Sequence, residues 1–218
     1  MSTARITLVN PNSLTKVTDA IARAVVPFQR LPLEFRCLTS TGGPAGIQTQ
    51  AEADASIAPM AQLFLQEADT TDAFIVACFS DPGLHGLRDL VSAPVLGIGE
   101  SSVLTAMSMA TRIGVIAIAA ASVPRHLRYF RAMGVADRIC AELSLDMKVS
   151  ELADAELAFA RMATVGKTLR DAHGAEVLIM GCAGMADLRG RLEDACGLPV
   201  VEPTQAAVAM AAGRVFSR

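Results

Sequence analysis

The chain has 218 residues, 52% of them hydrophobic and 19% charged, a balance that excludes extensive disorder and allows a core without disulfides or metals. Its 19 basic and 22 acidic residues leave a net charge of −3, which offers nothing to a phosphate backbone and argues against nucleic acid as a partner. The mean hydropathy of +0.41 comes from alanine and short buried runs: the most apolar region is cut by Arg112 into two uncharged pieces, 101–111 and 113–123, far below the roughly 20 residues of a membrane-crossing helix.

In chain order, short β-rich runs alternate with stretches of helical period, the pattern of a parallel sheet flanked by helices. RITLVN (5–10) reads as a first strand ended by Pro11, and Ser13 as the cap of a helix carrying Leu14, Val17, Ile21 and Val25 on one face until Pro27. A second strand is expected at 33–38, then a loop at TGGPAG (41–46), then a helix with Ile57, Met60, Phe64 and Leu65 on its apolar side. AFIVAC (73–78) is a third, wholly apolar strand; 83–91 is a short helix and PVLGI (94–98) a fourth strand. Strands are expected again at 113–118, 139–145, 176–181 and 198–202. Helices are expected at 124–133, closed by Gly134, at 150–173 with Leu152, Phe159, Met162 and Leu169 on one side, at 184–196, and from Thr204 onward.

Set side by side, the two halves repeat. Ile6 to Cys78 is 72 positions and Ile113 to Cys182 is 69, while Cys78 to Pro94 is 16 and Cys182 to Pro199 is 17. VACFSDPGLHGLRDL followed by APVLGI also matches IMGCAGMADLRGRL followed by LPVVEP. Each half thus places a cysteine at the carboxyl end of its third strand, at a glycine-containing turn into a helix, where open α/β sheets bind ligands.

A cysteine at a helix N-terminus has its thiolate favoured by unpaired N–H groups and the helix dipole. The N–H groups of Phe79 and Ser80, and of Ala183 and Gly184, are placed to hold a carboxylate or enolate oxygen. Two such units across a pseudo-two-fold axis suit racemisation: one thiolate removes a proton from a carbon α to a carbonyl, and the opposite thiol returns one to the other face, with no cofactor required. A single cysteine ending a buried strand is ordinarily packing, but the repeat register singles out Cys78 and Cys182 together. Cys37, Cys140 and Cys196 read as small buried hydrophobes.

Asn10 and Asn12 lie at the end of the first strand, where a turn and cap explain them about as well as substrate contact does. Asp81 and Asp187 read as helix-terminus carboxylates that can also orient side chains. With no CxxC pair and no histidine near a cysteine in sequence, no metal is expected. Gly166-Lys167-Thr168 lacks the glycine of a phosphate loop at Arg161, GIGESS (97–102) lacks the third glycine of a dinucleotide fingerprint, and His85, His126 and His173 sit in polar helical stretches and read as solvated. Met-Ser-Thr-Ala-Arg leads straight into a strand without a signal-peptide core, so a cytoplasmic protein is expected.

ITLVNPNS, VACFSDPGL, VLIMGCAGMADL and GLPVVEPTQAAV together resemble the aspartate/glutamate/hydantoin racemase superfamily, most closely its hydantoin and allantoin racemase branch. The resemblance spans nearly the whole chain. It implies an α/β fold of two pseudo-symmetric lobes, each a short, mainly parallel sheet flanked by helices, with the site at their interface. Residues 1–98, joined by the C-terminal helix 204–218, form the first lobe and 99–203 the second. It further implies cofactor-independent two-base racemisation by Cys78 and Cys182, with Asn10, Phe79, Ser80, Ala183 and Gly184 around a small-molecule substrate, and a homo-oligomer. A 5-substituted hydantoin or allantoin is the expected substrate. An arylmalonate-type decarboxylase, an aspartate/glutamate racemase and a non-catalytic small-molecule-binding or thiol-sensing protein are the alternatives. The chain departs from the common family pattern at Ser80, usually acidic, at Gly46-Ile47-Gln48-Thr49, usually of Ser-Ile-Glu-Gly type, and at Glu202-Pro203, usually Asp-Gly, and these positions bear on substrate choice.

Overall fold

The structure is a computed structural model and describes residues 3–147, 151, 154–183 and 185–217. Two four-stranded parallel sheets share one strand order, β2-β1-β3-β4 and β6-β5-β7-β8. The first contains β1 (Ala4–Asn10), β2 (Leu33–Thr39), β3 (Ala73–Val76) and β4 (Val95–Gly97); the second contains β5 (Ile113–Ala117), β6 (Ile139–Ser144), β7 (Val177–Met180) and β8 (Val200–Val201). Every described pairing is parallel, and β1 and β3, like β5 and β7, are buried over their paired lengths. That burial is why these segments read as continuous Ile/Val/Leu/Ala runs rather than alternating ones.

The helices are α1 (Thr15–Ala24), α2 (Gln50–Ala55), α3 (Ile57–Glu67), α4 (Leu84–Leu90), α5 (Ile98–Met109), α6 (Val123–Ala132), α7 (Ala155–His173), α8 (Arg189–Cys196) and α9 (Pro203–Phe216). Met60 and Phe64 of α3 face inward, with Phe64 stacked on Phe74 of β3 at 4.4 Å, but Leu65 is 56% exposed, one residue off the buried stripe. Ser13 does not cap α1, whose N-cap position is Leu14 without a side-chain cap bond; Asn12 Oδ1 accepts from Leu14 N–H at 2.9 Å in a turn just before the helix, while Ser13 Oγ donates to the Pro44 carbonyl. The long helix α7 begins at Ala155, capped by the Asp154 carboxylate, which accepts from Leu157 N–H; Leu152 lies outside the described residues. Helix α8 starts at Arg189 after a short 3₁₀ turn at Ala186–Leu188.

Helix α5 is absent from the reading of sequence period, because its inward positions include Gly99, Ser101 and Ser102 and its outward ones Leu104 and Met109, which blurs the apolar face. It and α9 cross over. Val103 and Ala106 of α5 pack with Ile113, Val115, Val177 and Ile179 of the second sheet, whereas Ala207, Val208 and Ala211 of α9 pack with Ile6, Leu8 and Ile75 of the first. The other faces are closed by α3 and α4 on the first sheet and by α7 and α8 on the second. Gly166 lies inside α7, where an added Cβ would come within 2.6 Å of Cys196 Sγ, so that glycine serves close packing of α7 on α8. Among the described residues, no helix is long and apolar enough to cross a membrane.

Candidate active site

The repeat resolves into matched geometry. Val9 pairs with Val76 and Ile116 with Met180, the last pairs of each central ladder, and each cysteine follows two residues later. Ala77 N–H donates to the Val9 carbonyl (2.9 Å) and Gly181 N–H to the Ile116 carbonyl (2.8 Å), so both cysteines leave their sheets from the same pinned position. An added Cβ at Gly181 would sit 2.6 Å from the Ile116 carbonyl oxygen, which makes glycine the residue that fits before Cys182.

Cys78 and Cys182 line one cavity of about 60 Å³, together with Asn12, Gln48, Phe79, Ser80, Arg125, His126 and Ala183. The cysteines do not sit at helix N-termini. Helices α4 and α8 begin six and seven residues beyond them, at Leu84 and Arg189, and burial dominates: it raises the Cys78 thiol and pushes Cys182 up to about 12. The surroundings of the two sulfurs differ. Cys78 Sγ lies 3.4 Å from Ser80 Oγ, and hydrogen bonds from the Ser80 hydroxyl and N–H, with the positive charge of Arg125, partly offset the burial. Cys182 donates its S–H to the Ala183 carbonyl at 3.2 Å, and the nearby Cys78 and Glu202 add negative charge that raises it further.

Asn10 is fully buried behind the cavity wall. Its amide donates to Asn12 Oδ1, the Leu14 carbonyl and Thr18 Oγ1, and its Oδ1 accepts from Asn12 N–H, so it braces Asn12, which does reach the cavity. Phe79 turns its ring inward, edge-on to His126 (5.0 Å) and Phe130 (6.4 Å). Ala183 is buried in the wall, and Gly184 lies outside the described residues. Asp187 is exposed in an ion pair with Arg23.

Asp81 caps a different helix from the one it precedes. With φ of +45° it turns its carboxylate to accept from Gly99 N–H (3.0 Å) and Glu100 N–H (2.7 Å) at the start of α5, and from the Tyr129 hydroxyl (2.8 Å). This explains GIGESS: a Cβ on Gly97 would fall 2.2 Å from Asp81 Cγ, and one on Gly99 2.1 Å from the Phe79 carbonyl oxygen. The glycines let the Cys78 loop lie flat on α5.

Two cavity residues carry no motif in the sequence. His126, expected to be solvated, is 3% exposed and bonds Glu142 at 2.5 Å, whereas His85 is exposed and His173 half-buried. Arg125 is 8% exposed, with Nε and Nη1 lacking hydrogen-bond partners. The signal was the helical spacing of Arg125 and His126 one turn before Tyr129 and Phe130, which places them on the inward face while Leu127 is 38% exposed. Among the described residues, no group of three or more His, Cys, Asp or Glu side chains is arranged to hold a metal.

The buried carboxyls Asp81 and Glu202 are both raised to about 7, first by burial. A carboxyl held protonated in the fold and ionised when unfolded binds more protons in the native state, so its contribution to stability falls as pH rises from about 4 through 7. In Glu202→Gln, the slope of unfolding free energy against pH between 5 and 7 is expected to lose up to one proton's worth, about 1.4 kcal/mol per pH unit. Urea titrations at several pH values check this, and an unchanged slope contradicts it.

The Asp/Glu/Hydantoin racemase family model matches residues 6–211. Hydantoin racemase of Rhizobium meliloti is 34% identical over 207 residues, covering 94% of this chain and 86% of that protein; hydantoin racemase of Pseudomonas sp. (strain NS671) is 30% identical, covering 95% and 84%. The crystal structure of allantoin racemase from Pseudomonas fluorescens superposes with a TM-score of 0.94 at 27% identity, covering 98% of this chain and 91% of that one. Matched over nearly its full length in sequence and fold, with its repeated cysteine turns meeting at one cavity, the chain belongs to the Asp/Glu/hydantoin racemase family and is a racemase, an isomerase.

Proposed function

We propose that the chain is a cofactor-independent racemase of a 5-substituted hydantoin or of allantoin, with Cys78 and Cys182 as its two proton-transferring groups. The observation that carries this reading is the pair of cysteines leaving equivalent strand ends into one cavity. A ring carbon flanked by a carbonyl and a ring nitrogen is acidic enough for a thiolate to deprotonate, and the oxygen of the adjacent carbonyl holds the charge as an enolate.

The unequal surroundings divide the roles. Burial raises both thiols, but Ser80 and Arg125 partly offset it at Cys78, whereas Cys182 donates to a carbonyl and faces Glu202, so Cys78 is the more easily ionised and acts as the base while Cys182 acts as the acid. Cys78 takes the α-proton, forming S–H and the enolate; Cys182 gives its proton to the opposite face, forming the new C–H and leaving a thiolate. For the other enantiomer the steps run in reverse. A cytoplasmic setting is supported by the five free cysteines. A homo-oligomer is supported by Leu104 and Met109 of α5 and Met210 of α9, exposed on adjoining helices.

Incubating the protein in heavy water with each pure enantiomer of allantoin and of 5-methylhydantoin, and following optical rotation and deuterium uptake, tests the reading. Loss of rotation with wash-in at the ring carbon is expected. No exchange with any hydantoin or allantoin sinks it.

A further inference from the structure

Arg125 is buried in the cavity wall with hydrogen-bonding capacity unused, and the opposite charge that acts on it most strongly is Cys78, the sulfur that takes part in proton transfer. Its guanidinium Nε and Nη1 are buried without partners. The carboxylates nearest to it electrostatically, Glu52 and Glu142, are engaged elsewhere. Glu52 Oε2 accepts from Gln48 N–H, Thr49 N–H and Thr49 Oγ1 at the start of α2, and Glu142 Oε1 bonds His126 Nδ1. Arg128, the other charge facing it, is a cation. No aspartate or glutamate is among the described residues that line the cavity, whose remaining polar groups are Asn12, Gln48, Ser80, Ser122, His126 and the two thiols.

Two buried guanidinium N–H groups without acceptors are costly, because their desolvation is not recovered by hydrogen bonds. A neutral ring carbonyl offers these donors one uncharged acceptor, whereas a ligand carboxylate offers two charged ones, and charge-assisted hydrogen bonds are roughly twice as strong. The enolate forms only during turnover, and its charge arises by transfer from a thiolate already in the cavity, so it adds no net counter-charge to the complex.

We propose that Arg125 is a substrate-binding residue for a carboxylate, and that the preferred substrate is a hydantoin bearing an acidic side chain at its ring carbon. The substrate class rests on the racemase reading above; the anion subsite rests on the cavity itself. Gln48, whose loop departs from the family pattern, lines the same cavity.

The test compares 5-(2-carboxyethyl)hydantoin with its neutral isostere 5-(2-carbamoylethyl)hydantoin, by deuterium wash-in at one pH. In the unaltered protein kcat/KM for the acid is expected to exceed that for the amide at least 30-fold. The ratio should fall to near 1 in Arg125→Gln and be partly retained in Arg125→Lys, which keeps the charge. A ratio at or below 1 in the unaltered protein overturns the proposal. So does a ratio unchanged in Arg125→Gln, or equal losses on both substrates, which would place Arg125 on the enolate instead. Calorimetric titration with glutarate separates the two readings. If neither hydantoin is turned over but glutarate binds and binds at least 30-fold more weakly to Arg125→Gln, the racemase reading fails and the anion subsite stands. Absence of glutarate binding together with no preference for the acid removes the subsite while leaving racemisation of neutral hydantoins intact.

Discussion

Cys78→Ser and Cys182→Ser are each expected to lower racemisation by at least about 10³-fold, because a serine hydroxyl is far harder to ionise than a thiol of pKa ~8.5 and general base catalysis is worth about 10²–10⁴-fold. The residual chemistry should be one-sided. Each variant keeps one sulfur, so each should still exchange the α-hydrogen of a single enantiomer with solvent, the opposite one in the two variants. Deuterium wash-in with each pure enantiomer reads this directly. Near-normal racemisation in both variants would refute the two-thiol mechanism. If one cysteine proves dispensable and the other essential, the one-cysteine, decarboxylase-like alternative gains. The unequal settings of the sulfurs add a further expectation: the Cys78 variant, having lost the more easily ionised sulfur, should be the more impaired at neutral pH.

The largest effect on stability is expected at Asp81. Replacing it with alanine strands the N–H groups of Gly99 and Glu100 and the Tyr129 hydroxyl, all of which donate to its carboxyl. An unsatisfied buried donor costs about 1–3 kcal/mol, and partial relaxation leaves an expected total of about 3–5 kcal/mol. Asp81→Asn keeps the shape but turns an NH₂ group toward one of these donors, so an intermediate loss is expected. Urea unfolding followed by circular dichroism measures both. Since the carboxyl ties the Cys78 loop to α5 and α6, activity should fall further than the population of unfolded chain accounts for. A loss below about 1 kcal/mol in Asp81→Ala would show that the loop is held by something else.

Much of this molecule could be read along the chain. The buried runs at β1, β3, β5 and β7 are legible because strands covered on both faces must be continuously apolar, and that pattern survives without knowledge of the partner strand. The repeat register then located Cys78 and Cys182, since near-equal spacing from strand to cysteine survives even where local text diverges. Other features were illegible for a physical reason. The crossing of α5 and α9 depends on which sheet each helix covers, and a face filled by Gly99, Ser101, Ser102 and Ala106 carries too little hydrophobic contrast to announce itself.

What the sequence determined by itself was therefore the α/β class, the twofold repeat and the two cysteines, because each is written in spacing and burial pattern within a short window. What only the tertiary structure decided was the company those cysteines keep. Asp81 reaches α5 rather than the helix that follows it, Asn12 rather than Asn10 faces the cavity, and His126 with Arg125 enters from a polar helix that looks solvated in one dimension. Burial also reversed the expected thiol electrostatics: the helix termini begin six or seven residues too late to help, and removing a sulfur from water outweighs a distant dipole. Distance and desolvation are properties of the folded arrangement, and no spacing rule along the chain contains them.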